Sequence, residues 1–166
     1  MSTGEPKINL TAAERTAIET LAQRYDNKRS ACIEALKYVQ GQHKWISDHH
    51  LGEIAALLNM SRAELEGVAT YYNLIFRRKV GKHIIYLCDS VSCWIMGRDA
   101  VCAHLRRRLG IEPGETTADG AYTLLPIVCL GYCDHAPAML LDDDLHGDLD
   151  AQRIDALLDS PTERGL

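Results

Sequence analysis

Four of the six cysteines in this 166-residue chain fall in two close pairs, Cys88-x4-Cys93 and Cys129-x3-Cys133, with 35 residues between the pairs. Each pair begins where a short apolar run ends: His83 to Cys88 before the first, Tyr122 to Val128 before the second. Runs of this length and composition read as strands. If both leave the same end of one small sheet, four sulfurs distant in sequence meet in space. That requirement shapes the whole second half of the chain.

The composition fits such a fold. With 46% hydrophobic and 25% charged residues and a mean hydropathy of −0.16, there is enough apolar material for a core that needs no disulfides. The first residues, Met1-Ser2-Thr3-Gly4-Glu5-Pro6, show no basic segment followed by an apolar stretch, and the longest apolar run, near Ile54 to Leu58, is far too short to span a membrane. The expectation is a cytoplasmic chain without direct membrane insertion, in a reducing compartment where cysteines serve metal or redox chemistry. A net charge of −5 and a pI near 5.8 argue against nucleic acid, which asks for a basic stripe. The one dense basic run, Arg106-Arg107-Arg108, reads as the solvated face of a helix.

The first half reads as four amphipathic helices. Thr11 and Glu14 form a capping box, and Ile18, Leu21, Ala22 and Tyr25 then share one face. Cys32, Ala35, Leu36 and Val39 mark a second helix. Leu51, Ile54, Ala55 and Leu58 mark a third, capped by Ser47 or Asp48. Asn59 tolerates the left-handed conformation that ends a helix, and Ser61 with Glu64 opens a fourth, which buries Leu65, Val68, Ala69 and Tyr72. This predicts a small bundle over roughly residues 9–76. Near Val80-Gly81 the period becomes extended. A strand from His83 to Cys88, a helix from about Gly97 to Leu109 stopped by Gly110, strands at Tyr122 to Val128 and Ala138 to Leu141, and a helix from about Asp150 to Asp159 together predict an α/β unit with a mixed sheet. The fold class expected is α+β, with a helical domain over residues 1–80 and an α/β domain over residues 81–166. No internal repeat is visible.

Two chemistries compete for the four thiolates. A [2Fe–2S] cluster takes four cysteines, two for each iron, and loops free of secondary structure would bring them to it. Gly97 and Gly131 would let backbone approach the inorganic sulfides. Structural zinc also takes four cysteines at spacings of two to four residues, so it stays open on spacing alone. A plant-type ferredoxin would need a cysteine where Met96 stands, and a thioredoxin-type redox site would need C-x-x-C, which is absent. A Rieske centre would need a second Cys/His pair, but Cys102-x-His104 lies within a helix. Cys32 and Cys102 read as small buried hydrophobes, and the seven histidines as mostly surface residues. No dinucleotide or triphosphate loop and no nucleophile motif appears, so no catalytic residue is assigned.

These motifs resemble a known family. Cys88-Asp89-Ser90-Val91-Ser92-Cys93 with Gly97 resembles the first cluster segment of the E subunits of bacterial NADH:quinone oxidoreductase, respiratory complex I. Cys129-Leu130-Gly131-Tyr132-Cys133-Asp134-His135-Ala136-Pro137 resembles the second, C-L-G-x-C-x-x-[AG]-P. Thr116 to Gly120 with Tyr122-Thr123-Leu124 matches the approach to it. Glu66-Gly67-Val68-Ala69-Thr70-Tyr71-Tyr72 is similar to the family's E-G-V-A-T-F-Y, with Tyr71 where Phe is usual and Tyr132 where a smaller residue is common. The likeness runs from about Leu10 to Leu158. It implies a thioredoxin-like ferredoxin domain after the helical bundle, and one [2Fe–2S] cluster on Cys88, Cys93, Cys129 and Cys133. It also implies a partner in the same complex, the flavin- and NADH-binding F subunit, which carries FMN, the NADH site and its own iron–sulfur cluster. The chain would then carry single electrons within the peripheral arm, at the cytoplasmic face of the inner membrane. The same resemblance extends to the flavin-plus-ferredoxin modules of NAD-linked hydrogenases and formate dehydrogenases. A zinc-stabilised interaction module is the reading from another class.

Overall fold

The computed structural model describes residues 9–160, so the segment Met1 to Pro6 lies outside the described residues. The chain divides into two compact units, with the boundary between Lys79 and Val80. No helix among the described residues is long and apolar enough to cross a membrane.

The first unit is built from α1 (Ala12–Ala22), α2 (Cys32–His43), α3 (Asp48–Leu57) and α4 (Arg62–Tyr71), with a 3-10 turn over Lys28–Ala31. Both capping boxes form: Thr11 with Glu14 opens α1, and Ser61 with Glu64 opens α4. Ser47 rather than Asp48 caps α3, its Oγ accepting from the His50 N–H at 3.1 Å. Asn59 takes φ 55 after α3, in the left-handed region. The core gathers Ile18, Ala35, Leu36, Val39, Leu51, Ile54, Leu58, Leu65 and Ala69, with Cys32 and Val68 partly buried against it.

Two expected core residues fall elsewhere. Tyr25 lies beyond the end of α1 and is exposed, its hydroxyl donating to Glu34 Oε1 at 2.8 Å. Tyr72 is the C-cap of α4 with extended backbone, and is 42% exposed beside the 78% exposed Tyr71. Both sit where the helical period has already been broken, so the spacing no longer sets the side chain's direction.

Histidines are also less superficial than expected. Only His49 is exposed, because most of the others find carboxylates. His43 meets Glu14 at 2.7 Å, His83 meets Asp142 at 2.8 Å, His104 meets Asp155 at 2.9 Å, and His135 meets Asp148 at 2.8 Å. His50 differs. Its ring is fully buried against His43, centroids 4.3 Å apart, and neither ring nitrogen has a hydrogen-bond partner.

The second unit is a four-stranded mixed sheet in the order β2-β1-β3-β4, from β1 (His83–Cys88), β2 (Tyr122–Ile127), β3 (Met139–Leu141) and β4 (Asp144–His146). β1 and β2 run parallel, with His83 opposite Tyr122 and Cys88 opposite Ile127, while β3 is antiparallel to β1 and to β4. Pro126 sits within β2, which is tolerable because β2 is an edge strand and the nitrogen of Pro126 points away from β1. α6 (Arg98–Leu109) ends on Gly110 at φ 70, and α7 (Ala151–Asp159) is capped by Asp150. Val101, Cys102, Leu105, Ile154 and Leu158 from these helices pack with Ile85, Leu87, Leu124, Met139 and Leu141 of the sheet. Arg106, Arg107 and Arg108 are exposed, as expected of a solvated face, with Arg106 paired to Glu112 and Arg108 to Asp159.

Candidate metal centre

Because β1 and β2 are parallel and in register, their C-terminal ends lie side by side, and both cysteine pairs leave from that edge. Cys88 is the last residue of β1. Its N–H donates to the Ala138 carbonyl at 3.1 Å, and the next N–H, of Asp89, donates to the Ile127 carbonyl at 2.7 Å. Cys88 is thus pinned by the strands on both sides. The chain then forms α5 (Val91–Ile95), a short helix that no sequence pattern announces, and Cys93 lies inside it rather than in a free loop. The expectation of four loop-borne sulfurs is corrected at this position. With five residues, α5 is too short to show a helical period.

Cys88 and Cys93 are each only 2% exposed and pack with Ala136, Ala138, Leu130 and Tyr132. Cys129 and Cys133 are exposed, with their sulfurs 3.4 Å apart. Gly131 between them takes φ 77, a left-handed conformation that glycine adopts without strain, and its N–H points at Cys129 Sγ from 3.4 Å. Cys133 opens a 3-10 turn, Cys133–His135, followed by a cis Ala136–Pro137 peptide.

The sulfurs sense one another. The Cys129 thiol is held below its ordinary pKa, first by the Gly131 N–H, then by Cys133, with the Ser90 hydroxyl adding to this. Its neighbour Cys133 is pushed up, chiefly by Cys129, with Cys88 contributing and the Ser92 hydroxyl opposing. Burial pushes the Cys93 thiol up, opposed by the Ala138 N–H and reinforced by Cys88 and Cys133. The four predicted positions therefore form one neighbourhood. Cys32 and Cys102 do not join it; each lies in the apolar packing of its own unit.

This donor set fits a [2Fe–2S] cluster. The thiols stand in two pairs, Cys88 with Cys93 and Cys129 with Cys133. Two thiolates for each of two irons is what such a cluster takes, and donors from Gly131, Ala138, Ser90 and Ser92 already face the sulfurs.

Other features of the site were silent or nearly so in the sequence. Val91, Trp94, Ile95, Met96 and Val128 surround the sulfur-bearing segments and are 61–71% exposed. The approach to β4's end also braces the second pair. A Cβ on Gly147 would stand 2.5 Å from His135 Cβ, and the Asp148 N–H donates to the His135 carbonyl at 2.7 Å. The dense His/Asp content near Cys133 was the only sequence signal for this brace.

Comparison with known proteins agrees with the geometry. The family described as thioredoxin-like [2Fe-2S] ferredoxin matches residues 18–162. The chain is 46% identical over 151 residues to the NADH-quinone oxidoreductase E subunit of Pseudomonas aeruginosa, covering 91% of each protein. It is 48% identical over 152 residues to the E subunit of Escherichia coli K12, covering 92% of each. It is similar to a solved NAD+-reducing [NiFe]-hydrogenase in the H2-reduced state, at TM-score 0.68 and 29% identity over 78% of this chain. It spans only 22% of that hydrogenase polypeptide.

Proposed function

The chain belongs to the thioredoxin-like [2Fe-2S] ferredoxin family, and from that membership we propose that it is the [2Fe–2S] electron-transfer subunit of an NADH–quinone oxidoreductase. In this reading Cys88, Cys93, Cys129 and Cys133 hold the irons. The observation that carries it is the convergence of two cysteine pairs at the carboxyl edge of a parallel strand pair. When bound, the cluster supplies one-electron uptake and release, and no bond to substrate is made or broken by this chain.

The chain's own residues set the conditions for that exchange. Burial of Cys88 and Cys93 under Ala136, Leu130 and Tyr132 keeps water from half of the ligand set. Donors from Gly131, Ala138, Ser90 and Ser92 stabilise added negative charge on the sulfurs, which raises the potential. Exposure of Cys129 and Cys133 leaves the other half at the surface, where an electron can pass to or from a partner.

The partner in this reading is the F subunit, bearing FMN and the NADH site, since NADH releases two electrons together as hydride and a cluster accepts one. The assembly is peripheral, at the cytoplasmic face of the membrane. Residues 1–80 serve mainly to dock the partner and residues 81–166 hold the cluster. Support for docking comes from Gly67 and Thr70 on the exposed side of α4, with Tyr71, Tyr72 and Leu74 exposed beyond them. The likeness to the NAD+-reducing hydrogenase supports a second reading, the equivalent component of a hydrogenase or formate dehydrogenase module.

The test is direct. Protein purified anaerobically should be brown, with two irons and two sulfides per chain. It should be reduced by NADH only when the flavin-bearing partner is present. Colourless protein containing zinc would overturn the proposal in favour of an interaction module.

A further inference from the structure

We propose that, in the chain before it receives a cluster, Cys129 and Cys133 form a peroxide-sensitive dithiol that closes to a disulfide and bars cluster insertion until a thiol reductant reopens it. The disulfide stands on geometry alone; the barring step rests on the ligand assignment above.

The two sulfurs are 3.4 Å apart, already in contact, and joined by a turn of three residues whose middle one, Gly131, absorbs the left-handed bend. Both lie outside the strands, after β2 ends at Ile127, so closing the remaining gap to bonding distance falls on these side chains and the turn between them. Both are exposed, so a small oxidant reaches them in the folded protein. Cys88 and Cys93 are also neighbours, but each is 2% exposed, beneath Leu130, Tyr132 and Ala136. Access therefore separates two otherwise similar pairs. Cys32 and Cys102 have no second cysteine described beside them, and each packs into a separate apolar core.

The chemistry balances with hydrogen peroxide as the oxidant. The Cys129 sulfur attacks one peroxide oxygen, the O–O bond breaks, and the chain holds a sulfenic acid while one water leaves. The Cys133 sulfur then attacks Cys129 Sγ, expelling the hydroxyl as a second water and forming the S–S bond. Two electrons pass from the thiol pair to the peroxide. A dithiol reductant returns them by exchange. While the bond persists, neither sulfur can bind iron, so only two of four ligands remain.

The experiment uses the full-length protein, stripped of metal by a chelator under reducing, anaerobic conditions and then freed of reductant. One equivalent of hydrogen peroxide is added, and the product is mapped by alkylation and peptide mass spectrometry. The expected result is one disulfide, Cys129 to Cys133, with Cys32, Cys88, Cys93 and Cys102 still alkylated. Reconstitution with ferrous iron and sulfide, followed by the visible charge-transfer bands, should then fall at least tenfold and recover after dithiothreitol. Cys133→Ser should stop at a sulfenic acid on Cys129, trapped by dimedone. A disulfide between other cysteines, or none, overturns the proposal. So does unimpeded reconstitution of protein in which the Cys129–Cys133 bond has been mapped. Unoxidised protein that takes up no cluster overturns the functional reading and the barring step with it, while the disulfide is decided by mass alone.

Discussion

Replacing His50 by leucine should stabilise the helical unit. The imidazole is fully buried with both ring nitrogens unpartnered, and leaving such a group unsatisfied costs about 1–3 kcal/mol. Leucine of similar volume removes that cost but forfeits the ring contact with His43 at 4.3 Å, which is worth about 0.5–1.5 kcal/mol. The net expectation near neutral pH is a gain of about 1 kcal/mol, or roughly 4–8 °C for a unit of this size. Acid widens the difference. Burial, chiefly, holds the His50 pKa below its ordinary 6.5, aided by His43 and His49 and opposed by Glu14 and Glu53. As pH falls below 6.5 the unfolded chain takes up a proton that the folded chain refuses. Stability is therefore full above the unfolded value and declines towards the folded one, with a slope of at most about 1.4 kcal/mol per pH unit. The leucine variant lacks this slope. Urea unfolding followed by fluorescence of the buried Trp45, in a Trp94→Phe background, measures both quantities at about pH 7.5 and about pH 5.5, on either side of the ordinary histidine value. A destabilised variant, or one that keeps the parent's acid slope, would refute the reasoning.

Substituting Cys88, Cys93, Cys129 or Cys133 with serine should each abolish or strongly destabilise the visible charge-transfer bands. Cys32→Ala and Cys102→Ala should keep them, losing only about 1 kcal/mol of stability by denaturant titration. Ser90→Ala and Ser92→Ala each remove a hydroxyl that faces a sulfur. At about 0.5–1.5 kcal/mol per hydrogen bond, the potential should fall by roughly 20–60 mV in a spectroscopic redox titration; no change would deny them a tuning role. The isolated chain should show no NADH oxidation with an artificial acceptor. Residues 81–166 expressed alone should still assemble a cluster but lose most affinity for the flavin-bearing partner by calorimetry.

Much of the fold was legible because its signals are periodic or steric. Ile18 and Ala22, Leu36 and Val39, and Leu51 with Ile54 repeat at helical spacing, and the capping boxes at Thr11 and Ser61 mark where two helices begin. The six apolar residues of β1 announce a buried strand. The sites of the two sulfur pairs followed from the same logic, since parallel strands end together. What was not legible is short or non-local. α5 and β4 have five and three residues, below the length at which a pattern can declare itself. Tyr25 and Tyr72 continued a spacing past the point where the helix stops. His83 is buried because Asp142, 59 residues away, comes to meet it, and nothing local in the chain records that pairing.

The parallel pairing of β1 with β2 also dictates an order of assembly. Parallel strands cannot close by a tight turn; here two helices, α5 and α6, and a long connection separate β1 from β2, so Tyr122 reaches its place opposite His83 only by a long-range closure. Until that slow, long-range contact is made, Cys129 and Cys133 have no fixed relation to Cys88. Iron and sulfide delivered to a nascent or unfolded chain would meet two separate thiol pairs, neither sufficient alone. If the four cysteines hold the cluster as proposed, complete ligation would require the β1–β2 pairing, and binding would in turn stabilise that topology.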